Sequence, residues 1–128
     1  MAMVEVTVRT RCYPTEDRDK VARAITNVFP DAVIQGDDPM IAHSRTLETF
    51  RDLLKRQRIR DAARAALRRG LKRGSASFVL NKQVASVGKV SFSEESHALG
   101  DIEVILSSDD MQALIDSLVT ETRPENRA

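Results

Sequence analysis

Cysteine occurs once, at Cys12, tryptophan is absent, and the aromatic rings are confined to Tyr13, Phe29, Phe50, Phe78 and Phe92. A lone cysteine can form no intramolecular disulfide, and no Cys/His group has the spacing of a zinc site. So few rings also argue against reading single-stranded bases by stacking, which uses exposed aromatic platforms. The five glycines are dispersed at Gly36, Gly70, Gly74, Gly88 and Gly100, so no glycine-rich loop cradles a phosphate. Nowhere do about eighteen apolar residues run together. The amino terminus alternates valines with charges, unlike the apolar core of an export signal. A cytoplasmic protein without membrane contact is expected.

What the chain has is sorted charge. Its 20 Lys and Arg nearly balance its 19 Asp and Glu. Ten of those bases, however, fall between Arg51 and Arg73, where only Asp52 and Asp61 oppose them, a local net of +8. The flanks are correspondingly acidic, at −2 over residues 1–50 and −5 over residues 74–128. A field of one sign on one segment attracts polyanions even when the whole chain is near neutral. The 128 residues are 41% hydrophobic, enough for one core and too few for two domains. We expect a single domain over 1–120 and a flexible tail over 121–128, where periodicity is lost.

Hydrophobic spacing predicts the elements. Val4, Val6 and Val8 alternate with polar residues, as on a strand. Thr15 is placed to cap a helix that carries Val21, Ala24, Ile25 and Val28 and stops at Pro30. Ala32 to Ile34 and Met40 to Ala42 read as strands around a turn at Gly36 to Pro39. Ser44 or Thr46 can cap a helix bearing Leu47, Phe50, Leu53 and Leu54. That stripe fails one turn on, where Gln57 and Asp61 would fall on the buried face, and Ile59, Ala62, Ala63, Ala66 and Leu67 form a stripe in another phase. A kink, or two helices meeting near Gln57 and Arg58, is therefore predicted. Strands are expected to about Leu80, over Lys89 to Ser93 and over Asp101 to Leu106, before a last helix capped by Ser108. The order points to α+β: a mainly antiparallel sheet with helices packed on one face.

Arg56, Arg60, Arg64 and Arg68 are four apart, which on one helix makes a ridge drifting about 40° per step. Guanidinium forks along such a ridge can pair with a phosphate backbone, and Lys72 and Arg73 extend it. The competing reading is a solvated face, with Asp52 pairing Lys55 or Arg56 and Asp61 pairing Arg64 at helical spacing. Lys82, between Asn81 and Gln83, is a secondary phosphate contact, or else part of a plain polar connection whose Asn81 caps a short helical turn. His43 and His97 have no partner at ligand spacing, and the acidic pairs Asp37–Asp38 and Glu94–Glu95 read as solvated turns. Cys12 has no neighbouring base in sequence. No metal, cofactor or catalytic group is expected.

Several blocks together carry a resemblance: Pro14-Thr15-Glu16-Asp17 followed by Lys20-Val21, Gln57 to Arg64, Phe78 to Ala85, Gly88 to Phe92, and Leu99 to Ile102. From about Val4 to Leu106 the chain resembles an uncharacterised archaeal protein family that carries an RNA-binding label. The resemblance implies an α+β fold similar to the ribosomal protein that contacts the small RNA of the large subunit. It also suggests, by analogy, a tie to RNA processing. Its motif residues fall at Pro14, Thr15, Glu16, Asp17, Gln57, Asp61, Arg64, Asn81, Lys82 and Gln83.

The expectation is a non-enzymatic domain that docks structured RNA through phosphate contacts from Arg56, Arg60, Arg64, Arg68, Lys72 and Arg73, with Lys82 in addition. The alternative is a structural module that self-associates, or binds an acidic partner, through the same ridge.

Overall fold

A computed structural model describes residues 4–93 and 101–119. The expected tail, His97, Glu94, Glu95, Leu99 and Gly100 lie outside them. Among the described residues six antiparallel strands form one sheet: β1 (Val4–Thr10), β2 (Val33–Gln35), β3 (Met40–Ser44), β4 (Leu71–Lys72), β5 (Ser75–Asn81) and β6 (Asp101–Ser108), in the order β2-β3-β1-β6-β5-β4. The alternating valines make β1 central, paired with β3 on one side and with β6 on the other, from Val4 opposite Ser108 to Thr10 opposite Ile102. Period two then sends Val6, Val8, Met40, Ala42, Ala76, Phe78, Leu80, Ile102, Val104 and Leu106 to one face, where all are buried.

Five helices share a core cluster with that face: α1 (Arg18–Val28), α2 (Glu48–Gln57), α3 (Arg60–Arg69), α4 (Lys82–Ser86) and α5 (Met111–Val119). The α+β layering is the expected one. Phe50 of α2 lies at the centre of the ring cluster, 5.8 Å from Phe29, 5.4 Å from Phe78 and 6.3 Å from Phe92 between centroids. All four phenylalanines are therefore committed to packing.

Three local expectations are corrected. The side chain that caps α1 belongs to Asp17, which accepts from the Asp19 amide, and not to Thr15. At α5 the Asp110 carboxylate accepts from the Ala113 amide, while the Ser108 hydroxyl accepts from the Asp110 amide, before the helix begins. The segment Lys89 to Ser93 forms no strand of its own beyond a single bridge between Leu80 and Phe92. Asn81 does cap a short helix, α4, by accepting from the Val84 amide.

Gly70 ends α3 where the chain turns onto β4. A Cβ there would stand 1.8 Å from the Ser77 carbonyl oxygen, so only glycine permits the approach.

Candidate nucleic-acid interface

The basic run is divided by the change of phase seen in its apolar stripe. Phe50, Leu53 and Leu54 bury one face of α2, and continuing the helix would carry Asp61 into that face. The helix instead ends at Gln57, and Arg58 adopts the left-handed conformation, φ 59° and ψ 43°. The Arg58 amide donates to the carbonyls of Leu54 and Lys55, and the Ile59 amide to Leu54 at 3.1 Å, which closes a Schellman turn. A non-glycine residue held there costs about 1–2 kcal/mol. The chain then re-enters a helix in the new phase, with Ala63, Ala66 and Leu67 buried and α3 packed against α5.

One ridge of four arginines is therefore not what forms. Arg56 is on α2, and Arg60, Arg64 and Arg68 are on α3. Along α3 the 40° drift carries the side chains outward from the buried seam: Arg60 and Arg64 are half-buried and Arg68 is exposed. Lys72 and Arg73 follow on β4 and its turn, both exposed. A recess of about 660 Å³ is lined by Arg51, Asp52, Lys55, Arg56 and Arg60 against Leu118 of α5. A second, of about 590 Å³, is lined by Lys55, Arg58, Arg60, Asp61 and Arg64 against Val119. Lys55 and Arg60 line both, so the charge gathers around a corner. Lys55 and Arg58 belong to the basic run but are missed by reading four-residue spacing alone; the shift of phase at Gln57 is what marks their place at the corner.

The two acids of the run behave as helical spacing predicts. Asp52 pairs with Arg56, and Asp61 lies 3.4 Å from Arg64. Pairs this exposed are screened and hold their partners weakly. Among the described residues no carboxylate pairs with Lys55, Arg58, Arg68, Lys72 or Arg73. Cations thus outnumber anions at this corner in space as they do in sequence.

Lys82 is not part of that surface. It is 5% exposed, and its ammonium donates to the Arg11 carbonyl at 2.8 Å and to both Glu16 carboxylate oxygens at 3.1 Å. A buried ammonium needs such partners to offset its lost hydration, and having them it is not offered to a phosphate. Glu16 and Gln57, from two other signature blocks, are likewise engaged in internal contacts. Glu16 also accepts from the Tyr13 amide, which tightens the turn through Pro14 and Thr15. Gln57 donates to the Val90 carbonyl and accepts from its amide, both at 2.8 Å, as a strand partner would.

The acids of the Gly36 to Pro39 turn are not merely solvated. Asp38 takes a forked pair from Arg11 and Asp37 takes one from Arg18. Arg11's hydrogen bond holds the Asp38 carboxyl below its ordinary range, against slight burial. Burial, then the nearby Glu16 carboxylate, push the Cys12 thiol up, which disfavours a nucleophilic thiolate. Among the described residues no group of three or more His, Cys, Asp or Glu could hold a metal ion, and no helix is long and apolar enough to cross a membrane.

The opposite face of the sheet is open and mixed. Glu5, Arg9, His43 and Glu103 are exposed there, with Arg9 opposite Glu103. Its charges nearly cancel, and none of the described aromatic rings lies on it.

These features define an α+β protein with one open sheet face and a cationic helix corner. A family model described as RNA binding matches residues 5–108, and the chain belongs to that family, whose archaeal relatives are UPF0201 proteins. It is 39% identical to the UPF0201 protein of Methanothermobacter thermautotrophicus over 131 residues, covering 98% of this chain and 99% of that one. It is 37% identical over 124 residues to the UPF0200/UPF0201 protein of Archaeoglobus fulgidus, covering 94% of this chain but 38% of that longer relative. A crystal structure of an uncharacterized UPF0201 protein matches with a TM-score of 0.86 at 34% identity, over 92% of this chain and 94% of that one. The UPF0201 protein of Methanococcus jannaschii matches with a TM-score of 0.83 at 34% identity, over 93% and 95%.

Proposed function

We propose that this protein is a non-enzymatic RNA-binding domain that docks structured RNA by its phosphates, through Arg56, Arg60, Arg64, Arg68, Lys72 and Arg73. The observation that carries the reading is the cationic surface along α2, α3 and the β4–β5 turn, where three acids, Glu48, Asp52 and Asp61, face ten bases. The family's RNA-binding description makes RNA the favoured polyanion. With the phenylalanines in the core and an open sheet face that bears no ring, backbone and shape recognition outweigh base reading. A likeness to the ribosomal protein that contacts the small RNA of the large subunit, and a place in an RNA-processing complex, belong to the same reading.

The test is a titration with a stem-loop RNA at several salt concentrations. Wild type should bind with an affinity that falls steeply as salt rises, through counterion release. Arg60→Glu with Arg64→Glu should weaken binding at least about tenfold; equal binding by both proteins would exclude α3 as the docking surface.

The second reading is self-association, favoured by the −5 carboxyl-terminal portion of the sequence. Light scattering separates the two: a dimer that hides the arginines and ignores RNA supports the second.

A further inference from the structure

We propose that Arg58 is the anchoring phosphate contact, and that RNA is gripped at the α2–α3 corner by Arg58 with Lys55 and Arg60, more than along the length of α3. The proposal rests on the RNA reading above and locates its centre. Arg58 holds a backbone conformation that glycine adopts freely and that asparagine or aspartate tolerates through local hydrogen bonds of a short side chain. Arginine has no such means, and among the described residues its guanidinium has no hydrogen-bond or ion-pair partner.

Local electrostatics do not explain an arginine here. A cation at the end of α2 interacts favourably with the helix dipole, but Lys55 and Arg56 already occupy that last turn. Arg58 also immediately precedes α3, whose positive end begins with another cation, Arg60. The residue thus adds like charge to a crowded corner in a conformation unfavourable to it. It lines the recess of about 590 Å³ with Lys55, Arg60 and Arg64, where Asp61 is the one carboxylate among the described lining residues. A phosphate seated there would meet several cations from two helices held at a fixed angle by the Schellman turn.

The experiment compares wild type, Arg58→Gly, Arg68→Gln and a control, Arg23→Gln on α1, by thermal unfolding and by titration with a fluorescent stem-loop RNA at several salt concentrations. Arg58→Gly should melt at or above the wild-type temperature, since glycine relieves the left-handed turn. It should also bind RNA at least about tenfold more weakly, with the salt slope shallower by about one. Arg68→Gln should lose less, and Arg23→Gln no more than about twofold. A lower melting temperature for Arg58→Gly would overturn the claim that arginine is kept against a local cost. Undiminished RNA binding by Arg58→Gly, while Arg60→Glu with Arg64→Glu abolishes it, would overturn the anchor but leave the RNA reading standing. Failure of wild type to bind any stem-loop RNA would remove both.

Discussion

The Lys82 ammonium lies 3.1 Å from both carboxylate oxygens of Glu16, a residue 66 positions earlier in the chain. The contact fastens α4 to the turn that precedes α1, and α1 packs on α4 along the same side, with the Asn27 amide donating to the carbonyls of Ala85 and Ser86. Removing only the acid would leave the buried ammonium with the Arg11 carbonyl but without its counter-charge, whereas removing the lysine as well takes the buried charge away. Glu16→Gln should therefore cost about 2–3 kcal/mol, somewhat below the range for a fully buried pair because the Glu16 side chain keeps 27% of its exposure. Adding Lys82→Met should restore more than half of that. Urea unfolding of the single and double variants decides; strictly additive losses would show that the two groups are not coupled. RNA affinity of the folded double variant should stay within about twofold of wild type, since Lys82 is not at the surface.

Gln57 provides a second prediction. Its side-chain amide makes both backbone hydrogen bonds of Val90, so Gln57→Leu would leave a partly buried N–H and C=O without partners. The expected loss is about 2 kcal/mol. Hydrogen exchange at the Val90 amide should accelerate in Gln57→Leu before global unfolding does; unchanged protection would mean that another group supports this segment.

β1, β2, β3, β5, β6, α1 and the break between α2 and α3 were legible because each rests on local periodicity, such as Val4, Val6 and Val8 for β1 and the shifted stripe after Gln57 for the break. By contrast β4 was not expected, and the strand expected over Lys89 to Ser93 does not form. Lys82 was not legible. A lysine is seldom buried unless paired, and its partner stands in a different signature block, brought near only by the fold. The short helix α4 was half legible, through Asn81 as a cap. The cap positions slipped by two residues because Thr15 and Asp17, or Ser108 and Asp110, offer the same chemistry at nearby places. The cationic site was legible as charge but not as shape. Four-residue spacing assumes one continuous helix, and the left-handed Arg58 turns a ridge into a corner.

Acid should act on the turn that holds Asp38. The Arg11 guanidinium, followed by the Cys12 amide, outweighs burial and keeps the folded-state value of this carboxyl below the ordinary 3.8. A carboxyl depressed on folding contributes stability that is full above its unfolded value and is lost as pH falls through the folded value. Stability should thus decline below about pH 4, and Asp38→Asn should start lower at neutral pH and show a shallower decline. Urea midpoints measured at neutral and acid pH check this; parallel curves would mean that Asp38 does not contribute to the acid limb.

Asp61 is the acid closest in kind to a brake on the interface. Its side chain is fully exposed and lies 3.4 Å from Arg64 in the recess that also holds Lys55, Arg58 and Arg60. Asp61→Asn would release Arg64 and raise the charge of the corner by one, at the cost of a favourable carboxylate in the first turn of α3. Stability should fall only slightly, because so exposed a pair is screened. RNA affinity at low salt should rise by about two- to fivefold, and the gain should fade as salt approaches the range where the Debye length is about 8 Å. Titration of wild type and Asp61→Asn with the same stem-loop RNA measures both effects. If polyanions dock on the far, open face of the sheet, the substitution will leave affinity and its salt dependence where they were.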